Sequence, residues 1–137
     1  MPIKKAVEAD LPSIIELARR LELDYAGMEG DRFWVAEDAG EIVGTVGLKT
    51  HADVLELCAL GVDAKHRGKG IAKSLVEAVC AATAADVYLG TVIPAFFEAC
   101  GFSPVREVPR AFVEKRASAW CAGCDVRACR IMVRKKS

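Results

Sequence analysis

The sequence predicts an α/β fold with a mixed central sheet of about six or seven strands flanked by helices. Apolar runs of strand length alternate with stretches of helical periodicity along the whole chain. The unit from 54 to 92 reads as strand, helix, strand, the pattern of a right-handed parallel crossover. Earlier in the chain a tight turn joins two strands and makes that pair antiparallel, so the sheet is mixed. The 137 residues suit one compact domain, 1–137, and 53% of them are hydrophobic, enough for a core without disulfide staples.

Residues 3–7 open the chain as a short strand, and Asp10 stands as N-cap of a helix with Pro12 in its first turn. Leu11, Ile14, Ile15, Ala18 and Leu21 recur at helical spacing and form its inward stripe. Residues 24–30 break that pattern as a loop. Residues 33–37 and 42–48 are strands joined by a turn around Asp38-Ala39-Gly40-Glu41. Residues 54–62 form a further strand, apolar apart from Glu56, and a basic loop over 65–70 leads into a second helix carrying Ile71, Leu75, Val76 and Val79. A strand over 87–92 follows, then a short helix over 94–100 with Pro94 in its first turn and Gly101 at its end. Strands over 102–108 and 130–134 close the sheet.

Charge narrows the function. Nineteen basic and 19 acidic side chains cancel, so the chain lacks the cationic excess that holds a protein on nucleic acid or on a membrane surface. No apolar stretch approaches the roughly 20 residues of a membrane span, and the start lacks the apolar core of a signal peptide. A cytoplasmic protein that binds neither nucleic acid nor membrane is the expectation.

The informative segment is Leu60-Gly61-Val62-Asp63-Ala64-Lys65-His66-Arg67-Gly68-Lys69-Gly70-Ile71-Ala72. A strand ends, a basic loop follows, and a helix opens within it. Gly68 and Gly70 let a ligand approach the backbone, and the unpaired N–H groups of 68–72 form an anion site reinforced by the helix dipole. Lys65, Arg67, Lys69 and Lys73 surround it with positive charge. A pyrophosphate fits. The spacing matches neither the nucleotide-binding G-x-x-x-x-G-K-[S/T] loop nor the dinucleotide G-x-G-x-x-G turn.

Arg67-Gly68-Lys69-Gly70-Ile71-Ala72 resembles the R/Q-x-x-G-x-G/A signature of the GNAT acetyltransferase superfamily, and Pro94-Ala95-Phe96-Phe97-Glu98-Ala99-Cys100-Gly101-Phe102 resembles that family's F-Y-x-x-x-G-F helix and turn. The resemblance covers nearly the whole chain. It implies an acetyl-CoA-dependent N-acetyltransferase. The loop amides would hold the pyrophosphate, while the backbone of Leu60, Gly61 and Val62 would pair with the pantetheine arm. The Leu60 N–H would stabilise the oxyanion. Phe97 would lie at the cofactor where many relatives place a tyrosine that protonates the leaving thiolate. It cannot donate a proton, and Tyr25, His51, Cys58 and Tyr88 are the substitutes to weigh.

Glu56 lies four residues before Leu60 and six before Val62, so strand alternation puts the three side chains on one face. By resemblance to GNAT histone acetyltransferases it is the candidate general base. The plainer role for it is a structural carboxylate paired to a cation.

The motifs look most like short domains related to bacterial glutamate N-acetyltransferases, which implies a small amine such as an amino acid as acceptor. Arg32, Lys49, Arg106 and Arg110 are candidates for holding its carboxylate. Two alternatives stand beside this reading: a noncatalytic acetyl-CoA-binding regulator, favoured by Phe97, and a protein N-acetyltransferase. Relatives are commonly homodimers. Cys121, Cys124 and Cys129 lie close together but supply three local thiolates where closed zinc sites take four, so they are read as free thiols and no metal is assigned.

Overall fold

The structure is a computed structural model and describes residues 2–116 and 129–136, with 114–116 described in their backbone alone. Seven strands share one mixed sheet: β1 (Ile3–Lys5), β2 (Arg32–Asp38), β3 (Glu41–Thr50), β4 (Leu55–Val62), β5 (Val87–Thr91), β6 (Ser103–Pro104) and β7 (Arg130–Arg134). Their order across the sheet is β1-β2-β3-β4-β5-β7-β6. The pairs β1–β2, β2–β3, β5–β7 and β6–β7 are antiparallel, whereas β4–β5 is parallel with Leu55 opposite Val87 and Glu56 opposite Tyr88. Among the described residues four α-helices accompany them: α1 (Leu11–Arg20), α2 (Ile71–Ala81), α3 (Pro94–Ala99) and α4 (Arg110–Arg116).

The chain forms two compact units: Met1–Lys49 with Leu57–Thr83, and Thr50–Glu56 with Ala84–Ser137. In the first, α1 packs on one sheet face, where Ile14, Ala18, Met28, Phe33 and Val35 form a buried cluster. Helix α2 packs on the opposite face: a Cβ on Gly44 would come within 3.2 Å of Leu75 and 3.3 Å of Ile71. Glycine at 44 is what lets the helix sit that close. In the second unit Phe112 of α4 is 2% exposed and lies against β5.

Two elements differ from the sequence reading. The strand expected over 102–108 shrinks to Ser103–Pro104, with one further bond from Val105 N–H to the Ile131 carbonyl. Pro104 and Pro109 have no N–H to give a ladder. The Pro109 carbonyl instead accepts from Phe112 and Val113, which starts the unexpected α4. Asp10 does not cap α1: its carboxylate accepts from the Val7 N–H at 2.9 Å and closes a 3-10 turn over Glu8–Asp10. That bond holds the Asp10 carboxyl below the usual carboxylate range.

Candidate active site

In the first unit β4 runs into a braced loop. Asp63 caps a 3-10 turn over Ala64–His66 by accepting from the Lys65 N–H at 3.1 Å. That bond holds its carboxyl below the ordinary range, with Arg20 adding to the effect at 3.7 Å. Arg67 donates through Nε to the Val62 carbonyl at 3.0 Å, so the guanidinium clasps the end of the strand. His66 Nε2 lies 2.9 Å from Asp38 Oδ2 and ties the loop to the β2–β3 turn.

Gly68 and Gly70 have φ of +81° and +77°, where an L side chain is strained, and a Cβ at either would project into open space. Gly70 is also the N-cap of the 11-residue α2. Lys65, Arg67 and Lys69 are exposed around this cradle. Backbone N–H groups, a helix N-terminus and three cationic side chains gather here, the elements of which anion sites are made.

Within β4, Ala59 has φ of +50°. Cys58 Sγ lies 3.1 Å from the place of a Gly47 Cβ, beside Phe33, while a Cβ on Gly61 would meet Leu21 and Leu23 at 2.8 and 2.5 Å. Phe33 and Leu23 belong to the cluster packed with α1, so positions 58 and 61 share a face although three residues apart. Regular alternation would separate them. The backbone reversal at Ala59 resets the pleat, as a bulge does. The expectation that Glu56, Leu60 and Val62 share one face by unbroken alternation therefore does not hold.

Tyr25 stands close by. Its hydroxyl donates a short hydrogen bond to Asp31 Oδ2 and lies 3.3 Å from Cys58 Sγ. Lys49 Nζ reaches the same Asp31 oxygen at 3.4 Å and sits 5.1 Å from the Tyr25 ring centroid. Burial, then Cys58 and Asp31, push the Tyr25 phenol far above its ordinary value. A phenol that holds its proton this firmly is a poor acid, and a lysine engaged in this way is a poor carboxylate clamp.

The second unit holds Glu56, whose side chain is 3% exposed, with His51 Nε2 2.8 Å from Oε1. His51 is placed by the turn into β4, closed by its N–H donating to the Val54 carbonyl at 2.9 Å. Its ring lies 6.4 Å from Phe112, which in turn lies 6.5 Å from Tyr88, the residue opposite Glu56. Beside Tyr88 lies a cavity of about 730 Å³, lined by Tyr88, Val133 and Ser103 in one register row and by residues 105–110. Among the described lining residues Arg106, Arg110 and Lys135 are cationic and Glu107 carries a carboxylate. Phe97 is buried, with its ring edge-on to Phe96 at 4.9 Å and to Phe102 at 5.7 Å.

The acetyltransferase (GNAT) domain family matches residues 29–104, which carry the β4–loop–α2 segment and reach past α3. The chain belongs to the GNAT acetyltransferase family. It is 39% identical to rat N-acetyltransferase 8 over 83 residues, which cover 56% of this chain and 34% of that protein. To rat N-acetylaspartate synthetase it is 42% identical over 57 residues, 40% of this chain and 19% of that protein. It spans about a third or less of these curated relatives. Its fold matches that of Neisseria gonorrhoeae N-acetylglutamate synthase, solved with coenzyme A and N-acetyl-glutamate. That match has a TM-score of 0.78 at 22% identity and covers 99% of this chain and 35% of the other.

Of the residues singled out in the GNAT chain, Leu60, Gly61, Val62 and Arg67 to Ala72 lie together in the first unit, and Glu56 and Phe97 lie in the second. The His51 partnership with Glu56, the Tyr25 cluster and the cavity lining had no sequence signal beyond residue type. Among the described residues no group of three metal-ligating side chains occurs, and Cys121 and Cys124 lie outside those residues. Cys129 is half-buried, with its Sγ 3.4 Å from the place of a Gly90 Cβ. No described helix is long and apolar enough to cross a membrane.

Proposed function

We propose that the chain transfers the acetyl group of acetyl-CoA to the amine of a small, carboxylate-bearing acceptor such as an amino acid, and works in the cytoplasm. The observation that carries this reading is the run from Ala59 to Ile71. A strand with a reversed backbone at Ala59 leads into a cradle that two positive-φ glycines keep free of side chains. Acetyl-CoA supplies the activated thioester. Gly68, Gly70 and the first amides of α2, Ile71 and Ala72 among them, hold its pyrophosphate, with Lys65, Arg67 and Lys69 adding charge. The main chain of Leu60, Gly61 and Val62 pairs with the pantetheine arm, and the Leu60 N–H is directed at the oxyanion.

Glu56 takes the proton of the attacking amine. A thiol with an ordinary pKa of roughly 8.5 leaves as thiolate and collects its proton from water, so Phe97 lines the site without acting as acid. Arg106 and Arg110 hold the acceptor carboxylate in the cavity beside Tyr88. The names of two similar proteins, N-acetylaspartate synthetase and N-acetylglutamate synthase, agree with an amino-acid acceptor. A second reading, an acetyl-CoA-binding regulator, rests on the missing hydroxyl at Phe97.

The test is release of free CoA thiol from acetyl-CoA, scanned over amino acids, polyamines and lysine peptides. Turnover with amino acids supports the proposal. Acetyl-CoA binding without turnover supports the regulator, and preference for lysine peptides would make the chain a protein acetyltransferase.

A further inference from the structure

We infer that His51 is a positioning and proton-relay residue that carries the proton from Glu56 to water. The inference rests on Glu56 being the general base. A carboxyl group 3% exposed can accept a proton but is poorly placed to return it to solvent. To turn over repeatedly, the base needs an exit. His51 Nε2 is 2.8 Å from Glu56 Oε1, within direct transfer distance, and its side chain is 22% exposed. One end of the imidazole therefore meets the buried carboxyl while the residue as a whole reaches the surface. Histidine is suited to this because its two ring nitrogens separate uptake from release.

The ring is held for the task. The turn bond from His51 N–H to the Val54 carbonyl fixes its backbone, and the Phe112 ring packs against it at a tilt of 53°. On the Glu56 side the strand partner is Tyr88, whose ring lies 6.5 Å from the same Phe112 ring. One close partner of Glu56, the His51 imidazole, is a side chain of the type that gives and takes a proton near neutral pH.

The step balances. The amine nitrogen forms the C–N bond, and the C–S bond breaks with its electron pair leaving on sulfur. At rest Nε2–H donates to the Glu56 carboxylate. When Glu56 takes the nitrogen's proton, the imidazole shifts by water exchange to its Nδ1–H tautomer. Nε2 then accepts the proton from Oε1, and Nδ1 releases one to water. The thiolate takes one proton from water, so none is gained or lost. Release from Nδ1 leaves Nε2–H facing the carboxylate again, as at the start.

The experiment uses the full chain, acetyl-CoA and whichever amine turns over fastest in the acceptor screen. His51→Ala is expected to lower kcat about 10- to 100-fold with the KM for acetyl-CoA unchanged, and added imidazole is expected to restore much of the rate. His51→Gln keeps a hydrogen-bond donor for Glu56 and fills the space. It should be as slow as the alanine variant but unresponsive to imidazole, and it serves if His51→Ala does not fold. Wild-type kcat in His51→Gln, or a slow, folded His51→Ala that imidazole leaves slow, would overturn the relay. Glu56→Gln separates the two ideas: an inactive Glu56→Gln beside a fully active His51→Gln sinks the relay alone. An active Glu56→Gln, or a chain with no turnover in the screen, sinks the base and the relay together.

Discussion

The cradle at Gly68–Gly70 and the Glu56–His51 pair are made of different materials. The cradle is backbone: two glycines at positive φ, the first amides of α2 and space that no side chain enters. The Glu56 pocket is side chain: a carboxyl from β4, an imidazole from the β3–β4 turn and a ring from α4, each positioned by its own packing. A backbone site tolerates change around it and fails when a side chain is added within it. A side-chain site tolerates backbone detail and fails when one functional atom is exchanged.

The variants that sharpen this contrast descend in size. Glu56→Gln changes one atom and should lower kcat by about 10²- to 10⁴-fold, while calorimetry finds acetyl-CoA affinity unchanged. Unchanged turnover would remove Glu56 as base. Gly70→Asp places bulk, charge and a strained φ of +77° in the cradle. It should weaken acetyl-CoA binding about 100-fold or more, equivalent to ~2.7 kcal/mol. Retained affinity would move the phosphate site elsewhere. Arg106→Ala should raise the KM for a carboxylate-bearing acceptor about tenfold and leave that for acetyl-CoA alone. Equal effects on both would disqualify the cavity as the acceptor's.

The smallest effect belongs to neither site. Tyr25→Phe removes the hydroxyl bonded to Asp31 and should cost about 1 kcal/mol in denaturant unfolding. Burial raises the folded phenol's pKa above its unfolded value. Its contribution is therefore full below about pH 10 and lost as the pH rises beyond that. Stability curves for wild type and Tyr25→Phe should run apart at neutral pH and converge in strong alkali. Parallel curves throughout would show that the hydroxyl is not what couples Tyr25 to the fold.

The same difference in material decides what could be read from the amino acids. The cradle was visible because its residue types, Arg67-Gly68-Lys69-Gly70, are themselves the geometry. Glu56 stood out as one carboxylate in an apolar strand, and the order of the strands and of the first three α-helices followed from periodicity. His51 did not stand out as its partner, because the contact depends on a turn whose closure involves only backbone atoms. Ala59 gave no warning of its positive φ, since alanine is an unremarkable strand residue and the reversal is imposed by tertiary context. Helix α4 was missed because a strand was read across Pro104 and up to Pro109, whose missing N–H groups end the ladder and whose carbonyl starts the helix.

Gly61 has a consequence for how the sequence can drift. A methyl group there would overlap the ends of Leu21 and Leu23, which follow α1. Position 61 and those two leucines therefore share one allotment of volume. A larger residue on the strand makes the ends of those leucines move, and a smaller residue at 21 or 23 relieves that, so effects at 61 and at 21 or 23 are expected not to add. The strand position and the segment after the helix are coupled in what each can accept.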